Sequence, residues 1–201
     1  MFDVLIIGGG VSGVSCALVL GSAHRKSFAE DKKIGILTHQ KASSLKDGLF
    51  NNAYGIAPGK LGSEILTESL QQLQETYSHI EQLQNEKVSK IEKIDDCIEI
   101  TTNKNVYLSK FVIVAVGSSH LISIDGLQEF IEPHNKSLPE KNRIQLRNTD
   151  HKVTDFLYVA GTLAGHRSQL AIAAGSGAAV ATDILTIWNN GVETHIHDSI
   201  R

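Results

Sequence analysis

Three glycines near the N-terminus have the spacing that pyrophosphate binding requires. Gly8, Gly10 and Gly13 follow the apolar run 4–7 and precede small and aliphatic residues suited to a helix. In a strand–turn–helix unit, the first glycine permits a tight turn, the second admits the pyrophosphate, and the third allows close helix-to-strand packing. Backbone N–H groups at the helix start then face the anion. The pattern predicts a dinucleotide-binding site, with a purely structural glycine turn as the alternative.

Two further strands end in glycine later in the chain. The apolar run 111–116 ends at Gly117, and the run 156–160 ends at Gly161 and leads to a small-residue helix near Ser168. Because the N-terminal motif serves both FAD and NAD(P), a second feature has to decide between them. The C-terminal pattern favours a flavin.

These three motifs together resemble the FAD domain of the thioredoxin reductase branch of the pyridine nucleotide-disulfide oxidoreductases. The resemblance covers residues 1–118 and 143–188. It implies an α/β fold, a Rossmann-like three-layer FAD-binding domain with a parallel central sheet and a small antiparallel β-layer. It also implies FAD as the cofactor and oxidoreductase activity.

The resemblance assigns roles to individual residues. In the family, an Asn-Trp-Pro-Gly loop covers the isoalloxazine ring, and Asn52 in the segment 52–55 is similarly placed. Val88 stands where the family packs a valine at the adenine, and Ser168 opens the helix whose N–H groups face the flavin pyrimidine edge. The implied cofactor-binding residues are Gly8, Gly10, Val11, Ser12, Gly13, Thr38, His39, Asn52, Val88, Ala115, Gly117, Gly161, Thr162, Ser168, Gln169 and Leu170.

Two family carboxylates are replaced by hydroxyls. The second strand, 34–37, is followed by Thr38 where the family has the glutamate that binds the adenosine ribose. Thr162 stands where the family has the aspartate that binds the ribityl chain. Losing a charged acceptor costs roughly 1 kcal/mol or more at each position, so we expect weaker FAD binding.

The family's NADPH-binding domain and its redox cysteine pair are missing after Gly117. Residues 120–142 replace them, and Cys16 and Cys97 form no C-x-x-C pair. We therefore expect an external electron donor, either NAD(P)H or a redox protein, and no thioredoxin reduction by this chain alone. One alternative is a non-catalytic FAD-binding subunit or redox-sensing module, working as a homodimer or with a partner. Another is an NAD(P)-binding Rossmann protein, disfavoured by the missing acid after strand two.

The remaining pattern predicts one domain over 1–188, with a linker at 119–142 and a loose tail at 189–201. Helices are predicted near 11–20, 63–77 and 168–188, and a ligand-covering loop over 43–60. Further short strands are predicted at 143–147 and, as the antiparallel layer, at 80–83, 87–94, 97–102 and 106–109. The run 111–116 is predicted as a separate buried strand.

Composition excludes several classes of partner. The chain has 201 residues, 41% hydrophobic and 20% charged, with a net charge of −3. Such a balance favours neither nucleic acid nor an anionic membrane, and we expect a cytoplasmic protein.

Several side chains have two open interpretations. His195 and His197 are metal ligands or a solvated tail. His166, with His120 and Arg167, is a flavin-edge proton donor or an exposed loop residue. Tyr54 stacks near the ring or fills the core.

Overall fold

The computed structural model describes residues 1–39, 43–118 and 122–197. The described residues form three α-helices, α1 (Val11–Ser22), α2 (Gly62–Thr76) and α3 (Leu170–Trp188). The strands are β1 (Phe2–Ile7), β2 (Ile34–Thr38), β3 (Leu49–Phe50), β4 (Lys60–Leu61), β5 (Glu81–Gln84), β6 (Val88–Ile94), β7 (Cys97–Thr102), β8 (Val106–Val114), β9 (Ile131–Pro133), β10 (Ile144–Leu146) and β11 (Leu157–Val159).

A seven-stranded, mostly parallel sheet forms the centre of the fold. Its order is β5-β2-β1-β8-β7-β6, and β11 also pairs with β8. The pairs β5–β2, β2–β1, β1–β8 and β8–β11 are parallel, whereas β6, β7 and β8 form an antiparallel meander. The predicted fold class, a parallel sheet with antiparallel additions, is confirmed.

Two strand predictions were wrong in detail. The strand predicted at 80–83 lies one residue later, at Glu81–Gln84, and is a parallel edge strand of the central sheet, not part of the antiparallel layer. The strands predicted at 106–109 and 111–116 are one strand, Val106–Val114. Its first half pairs with β7 and its second half with β11, because each neighbour covers only part of the same long strand.

Alternating side chains of the central strands fill two cores. Val4 and Ile6 of β1 face the layer of α1 and α3, and Leu5 and Ile7 face the opposite layer. This alternation follows from the two-residue period of an extended strand. Residues of β6, β7 and β10 close the second core.

Helices α1 and α3 pack directly on each other. A Cβ added to Gly177 would lie 1.9 Å from the Ser12 carbonyl oxygen, so only glycine permits this approach. The Ser15 hydroxyl donates a hydrogen bond of 2.8 Å to the Ala174 carbonyl. By length and composition α3 could also cross a membrane, but Val180, Ile184 and Leu185 are buried in this protein core.

The segments outside the main sheet are more ordered than predicted. β9, in the described part of the predicted linker 119–142, pairs antiparallel with β10. In the predicted loose tail, Thr194 is buried and its backbone N–H donates to Thr186 Oγ1 at 3.1 Å. Ile196 packs against the core of α1 and α3, because an apolar side chain there gains from burial.

Candidate functional site

A cavity of about 720 Å³ opens where the central parallel strands end. The carboxyl ends of β1, β8 and β11 meet at this edge of the sheet and continue into Gly8, Ala115 and Gly161. Ligands of open α/β sheets bind at this edge, and the volume is typical of a small-molecule site.

The three N-terminal glycines have different roles in the geometry. Gly8 has a φ of +122°, and a Cβ there would lie 2.5 Å from the Ala115 carbonyl oxygen. A Cβ on Gly13 would lie 1.9 Å from the Gly8 carbonyl oxygen, so Gly13 brings helix and turn together. A Cβ on Gly10 would meet nothing within 4 Å, because this glycine faces the open cavity. The cavity therefore has the room at Gly10 that a pyrophosphate needs.

Two helix N-termini open on this cavity. Gly10 caps α1 and Gln169 caps α3, and both residues line the cavity wall. The first turn of neither helix contains an acidic residue. Since the first N–H groups of a helix lack intrahelical acceptors and carry partial positive charge, both ends favour an anionic ligand.

The C-terminal glycine turn forms another part of the wall. Gly161 has a φ of +74°, and a Cβ there would lie 2.6 Å from Ser12 Oγ. Its N–H donates to Ser176 Oγ at 2.8 Å. The next residue, Thr162, lines the cavity, and Gly117 faces its hydroxyl across the turn. Thr162 is thus positioned to offer a hydroxyl to a ligand.

Most of the predicted site residues line this one cavity. They are Gly8, Gly10, Val11, Ser12, His39, Val88, Ala115, Gly117, Thr162, Ser168, Gln169 and Leu170. Gly13 and Gly161 pack behind the wall, and Thr38 is buried in β2, where its carbonyl accepts from the Asn85 N–H at 2.9 Å.

Asn52 lies outside the cavity wall. The segment predicted as a covering loop forms the hairpin β3–β4, and Asn52 is exposed in its connection. Ser43, Leu45 and Phe50 of the same segment line the cavity instead. Tyr54 is fully exposed, at 101% of its reference area, so its interpretation as a core residue was wrong.

Glu86 is a wall residue that the sequence analysis missed. Its carboxylate is buried and accepts hydrogen bonds from Thr102 Oγ1 at 2.7 Å, Tyr107 Oη at 2.8 Å and Asn105 Nδ2 at 3.0 Å. Burial alone would raise its pKa, but the three donors outweigh burial and lower the pKa of Glu86. In the sequence, the only signal for this role was the position of a charged residue between two short strands, β5 and β6. Its oxygens hold the β7–β8 hairpin to the cavity wall.

A second small cavity, of about 290 Å³, adjoins the first and shares Lys141, Arg143 and Ser168 with it. His166 and Arg167 line this second cavity and are absent from the lining of the larger one. His120, the third proton-donor candidate, lies outside the described residues.

Behind these walls, one ring nitrogen of His151 lies within hydrogen-bond distance of a serine hydroxyl and of a second histidine. His151 Nε2 lies 3.0 Å from Ser176 Oγ and 3.1 Å from His166 Nε2. Burial is the largest cause that lowers the pKa of His151, followed by the neighbouring His166, against a smaller opposing effect of Asp150. Burial also lowers the pKa of His166, with further contributions from Lys136 and His134. Both imidazoles therefore favour the neutral form at neutral pH.

The lowered pKa values of His151 and His166 predict a loss of stability in mild acid. As pH falls through about 6.5, histidines of the unfolded chain take up protons while His151 and His166 in the folded protein resist them. The stability that the two neutral histidines contribute is fully present above their pKa in the unfolded chain. It is lost as pH falls from there towards their lower pKa in the folded protein. We expect the melting temperature to drop between pH 7.5 and 5, and to drop less in His151→Gln. The exposed His197→Gln is the matched control, and an equal drop in both variants would contradict the assignment.

The C-terminal histidines and the two cysteines belong to no cluster of potential metal ligands in the described part of the chain. No group of three or more potential metal ligands occurs there, and His195 contacts Glu193 at 3.1 Å. Both cysteines are free, and burial raises the pKa of the Cys16 thiol. Cys16 is therefore a protonated core side chain.

The fold is that of a Rossmann-type α/β domain. Residues 2–177 match the family model described as pyridine nucleotide-disulphide oxidoreductase, and the chain belongs to that family. The segment between Gly117 and β10 is too short to hold the family's NAD(P)H domain, as the sequence predicted.

Solved thioredoxin reductases share this fold. One from Gloeobacter violaceus superposes with a TM-score of 0.75 at 14% identity, covering 100% of this chain and 99% of its own. A ferredoxin-flavin thioredoxin reductase from Clostridium acetobutylicum has a TM-score of 0.68 at 18% identity, covering 94% and 98%. The atypical thioredoxin reductase TRi from Desulfovibrio vulgaris Hildenborough has a TM-score of 0.70 at 13% identity, covering 96% and 100%. A search of curated proteins finds no match.

Proposed function

We propose that this protein binds FAD in the larger cavity and acts as an oxidoreductase that takes electrons from an external donor through the flavin. The observation that carries the proposal is the open space at Gly10 between two helix N-termini at the sheet edge. Membership of the pyridine nucleotide-disulphide oxidoreductase family supports a redox role.

The walls fit the successive parts of FAD. The turn from Gly8 to Ser12 would hold the pyrophosphate, and His39 and Val88 lie on the wall suited to the adenosine. Thr162 would donate to or accept from the ribityl hydroxyls, and the α3 N-terminus at Gln169 would face the flavin pyrimidine edge. When bound, FAD supplies reversible acceptance of electron pairs.

The protein's own groups would then stabilise charge and orient the cofactor. The partial positive charge at the start of α3 favours an anionic ring. Thr162 offers a neutral hydroxyl in place of the family's carboxylate. No negative charge at this position therefore offsets the partial positive charge of the α3 N-terminus. We therefore expect this site to favour the reduced, anionic flavin.

An external donor follows from the sequence between Gly117 and β10. This segment lacks a second glycine fingerprint, and the chain has no C-x-x-C pair. NAD(P)H or a redox protein would have to approach the cavity from outside. One protein of similar fold is the ferredoxin-flavin thioredoxin reductase from Clostridium acetobutylicum, which makes ferredoxin a donor to test.

Purification without added cofactor provides the first test. We expect a flavin absorption spectrum, FAD released on denaturation, and about one FAD per chain after reconstitution. NADH, NADPH and reduced ferredoxin are then added separately under anaerobic conditions. We expect one of the three to reduce the flavin and bleach its absorption. Tight FAD that none of them reduces would favour the non-catalytic subunit. A protein that binds no FAD but is stabilised by NAD would contradict the proposal.

A further inference from the structure

The smaller cavity is strongly basic. Its walls contain four cationic side chains, Lys136, Lys141, Arg143 and Arg167, together with the hydroxyls of Ser137 and Ser168. No aspartate or glutamate is among its lining residues, and Glu140, next in sequence to Lys141, is exposed outside the wall. None of the ion pairs found among the described residues involves these four cations.

Hydrogen bonds hold the two sides of this basic pocket together. The ring of His134 is buried, and its Nε2 donates to the His166 carbonyl at 3.2 Å. Its Nδ1 accepts from the Lys136 N–H at 3.1 Å. Arg167 Nη1 reaches the Lys136 carbonyl at 3.4 Å. The pocket is therefore a concave site between residues 134–143 and 166–168, two segments that are distant in sequence and are held together by hydrogen bonds.

The cations act on the inside of the pocket. After burial, the charge of Lys136 is the next cause that lowers the pKa of His166, so positive potential reaches this wall. A cleft with low-dielectric walls and one sign of charge concentrates that potential and attracts counter-ions.

The number of cations favours a phosphate group over a carboxylate. A phosphate monoester carries a charge near −2 and three acceptor oxygens, whereas a carboxylate carries −1 and two. Arginine forks bind such oxygens bidentately, and lysines add point charges. The volume of about 290 Å³ suits a phosphate with a small organic group and is too small for a whole dinucleotide.

We propose that this basic pocket binds the phosphate group of a small phosphorylated molecule. Because the pocket shares Lys141, Arg143 and Ser168 with the larger cavity, the molecule would lie beside the occupant of that cavity. If the proposed function holds, this places a phosphorylated electron donor or acceptor next to the flavin. The phosphate site itself stands on the pocket geometry and is tested separately from flavin binding.

The test uses inorganic phosphate titrated into the purified full chain by calorimetry, with acetate as the monoanionic comparison. We expect saturable phosphate binding that is much tighter than acetate binding. The double variant Lys136→Gln/Arg167→Gln changes residues that line only the basic pocket. It should weaken phosphate binding at least tenfold, since each charge-assisted hydrogen bond contributes about tenfold in affinity.

The matched control is Arg25→Gln/Lys26→Gln, which removes the same two residue types from an exposed surface. It should bind phosphate like the natural chain, because Arg25 and Lys26 lie outside the basic pocket. Because it lowers the net charge as much as the pocket variant does, it also controls for nonspecific electrostatic effects. Flavin per chain, read from the absorption spectrum, should be the same in all three proteins. Unsaturable phosphate binding, equal weakening in both double variants, acetate binding as tight as phosphate, or flavin loss confined to Lys136→Gln/Arg167→Gln would each overturn the proposal.

Discussion

Gly10→Val should leave the protein folded and abolish FAD retention. Gly10 has φ −85° and ψ −173°, a conformation that valine adopts without strain, and an added Cβ meets nothing within 4 Å. The valine side chain would therefore enter the cavity where the pyrophosphate is proposed to lie. We expect FAD affinity to fall at least a hundredfold, about 3 kcal/mol, and stability to change by no more than about 1 kcal/mol through the altered helix cap.

Gly175→Val is the control for this variant. Gly175 is exposed on α3, an added Cβ there also meets nothing within 4 Å, and the residue does not line the cavity. Released flavin is quantified by chromatography in both variants, and melting temperatures report on the fold. A Gly10→Val protein that keeps the natural flavin content would refute the placement of the pyrophosphate.

Gly177→Ala should strongly destabilise the fold. The new methyl group would lie 1.9 Å from the Ser12 carbonyl oxygen, a contact that requires α1 and α3 to separate. Overpacking of this kind costs about 1–3 kcal/mol, and the clash with rigid backbone puts this case at the upper end. Since both helices begin at the cavity, their separation should also reduce flavin content.

Gly175→Ala, two residues earlier on the same helix, should have the opposite effect. Its methyl group enters open space, and alanine is about 1 kcal/mol more favourable than glycine in an exposed helix. Urea denaturation of the two variants measures the difference directly. If Gly177→Ala is as stable as Gly175→Ala, the close approach of α1 and α3 is wrong.

Part of the fold could be predicted because it depends on residues that are neighbours in sequence. The run 4–7, the glycines that follow it and the small-residue segment after them all favour one strand–turn–helix unit, which the structure contains as β1 and α1. Gly8 and Gly161 both adopt positive φ, a requirement that glycine meets without steric cost. The helix predicted at 63–77 is observed at Gly62–Thr76, because its leucines recur with the helical period.

Sheet neighbours were less predictable. The sequence around Glu81–Gln84 has the same short, mixed pattern as the antiparallel strands that follow it. It is parallel to β2 because the chain crosses over through α2 before it pairs. The role of the hairpin at 49–61 was likewise hidden, since two short pairing strands leave almost no periodic pattern.

The sequence by itself determined the glycine-rich turn between β1 and α1, the glycine turn after β11, and the lack of a second glycine fingerprint and of a C-x-x-C pair. Those properties reside in local residue types and spacing. Tertiary structure alone decided which side chains share a wall. The buried Glu86 network, the contacts of His151 with Ser176 and His166, and the basic pocket all join residues that are 15 or more positions apart. Such side-chain contacts depend on how whole elements pack, and local residue types and spacing do not specify them.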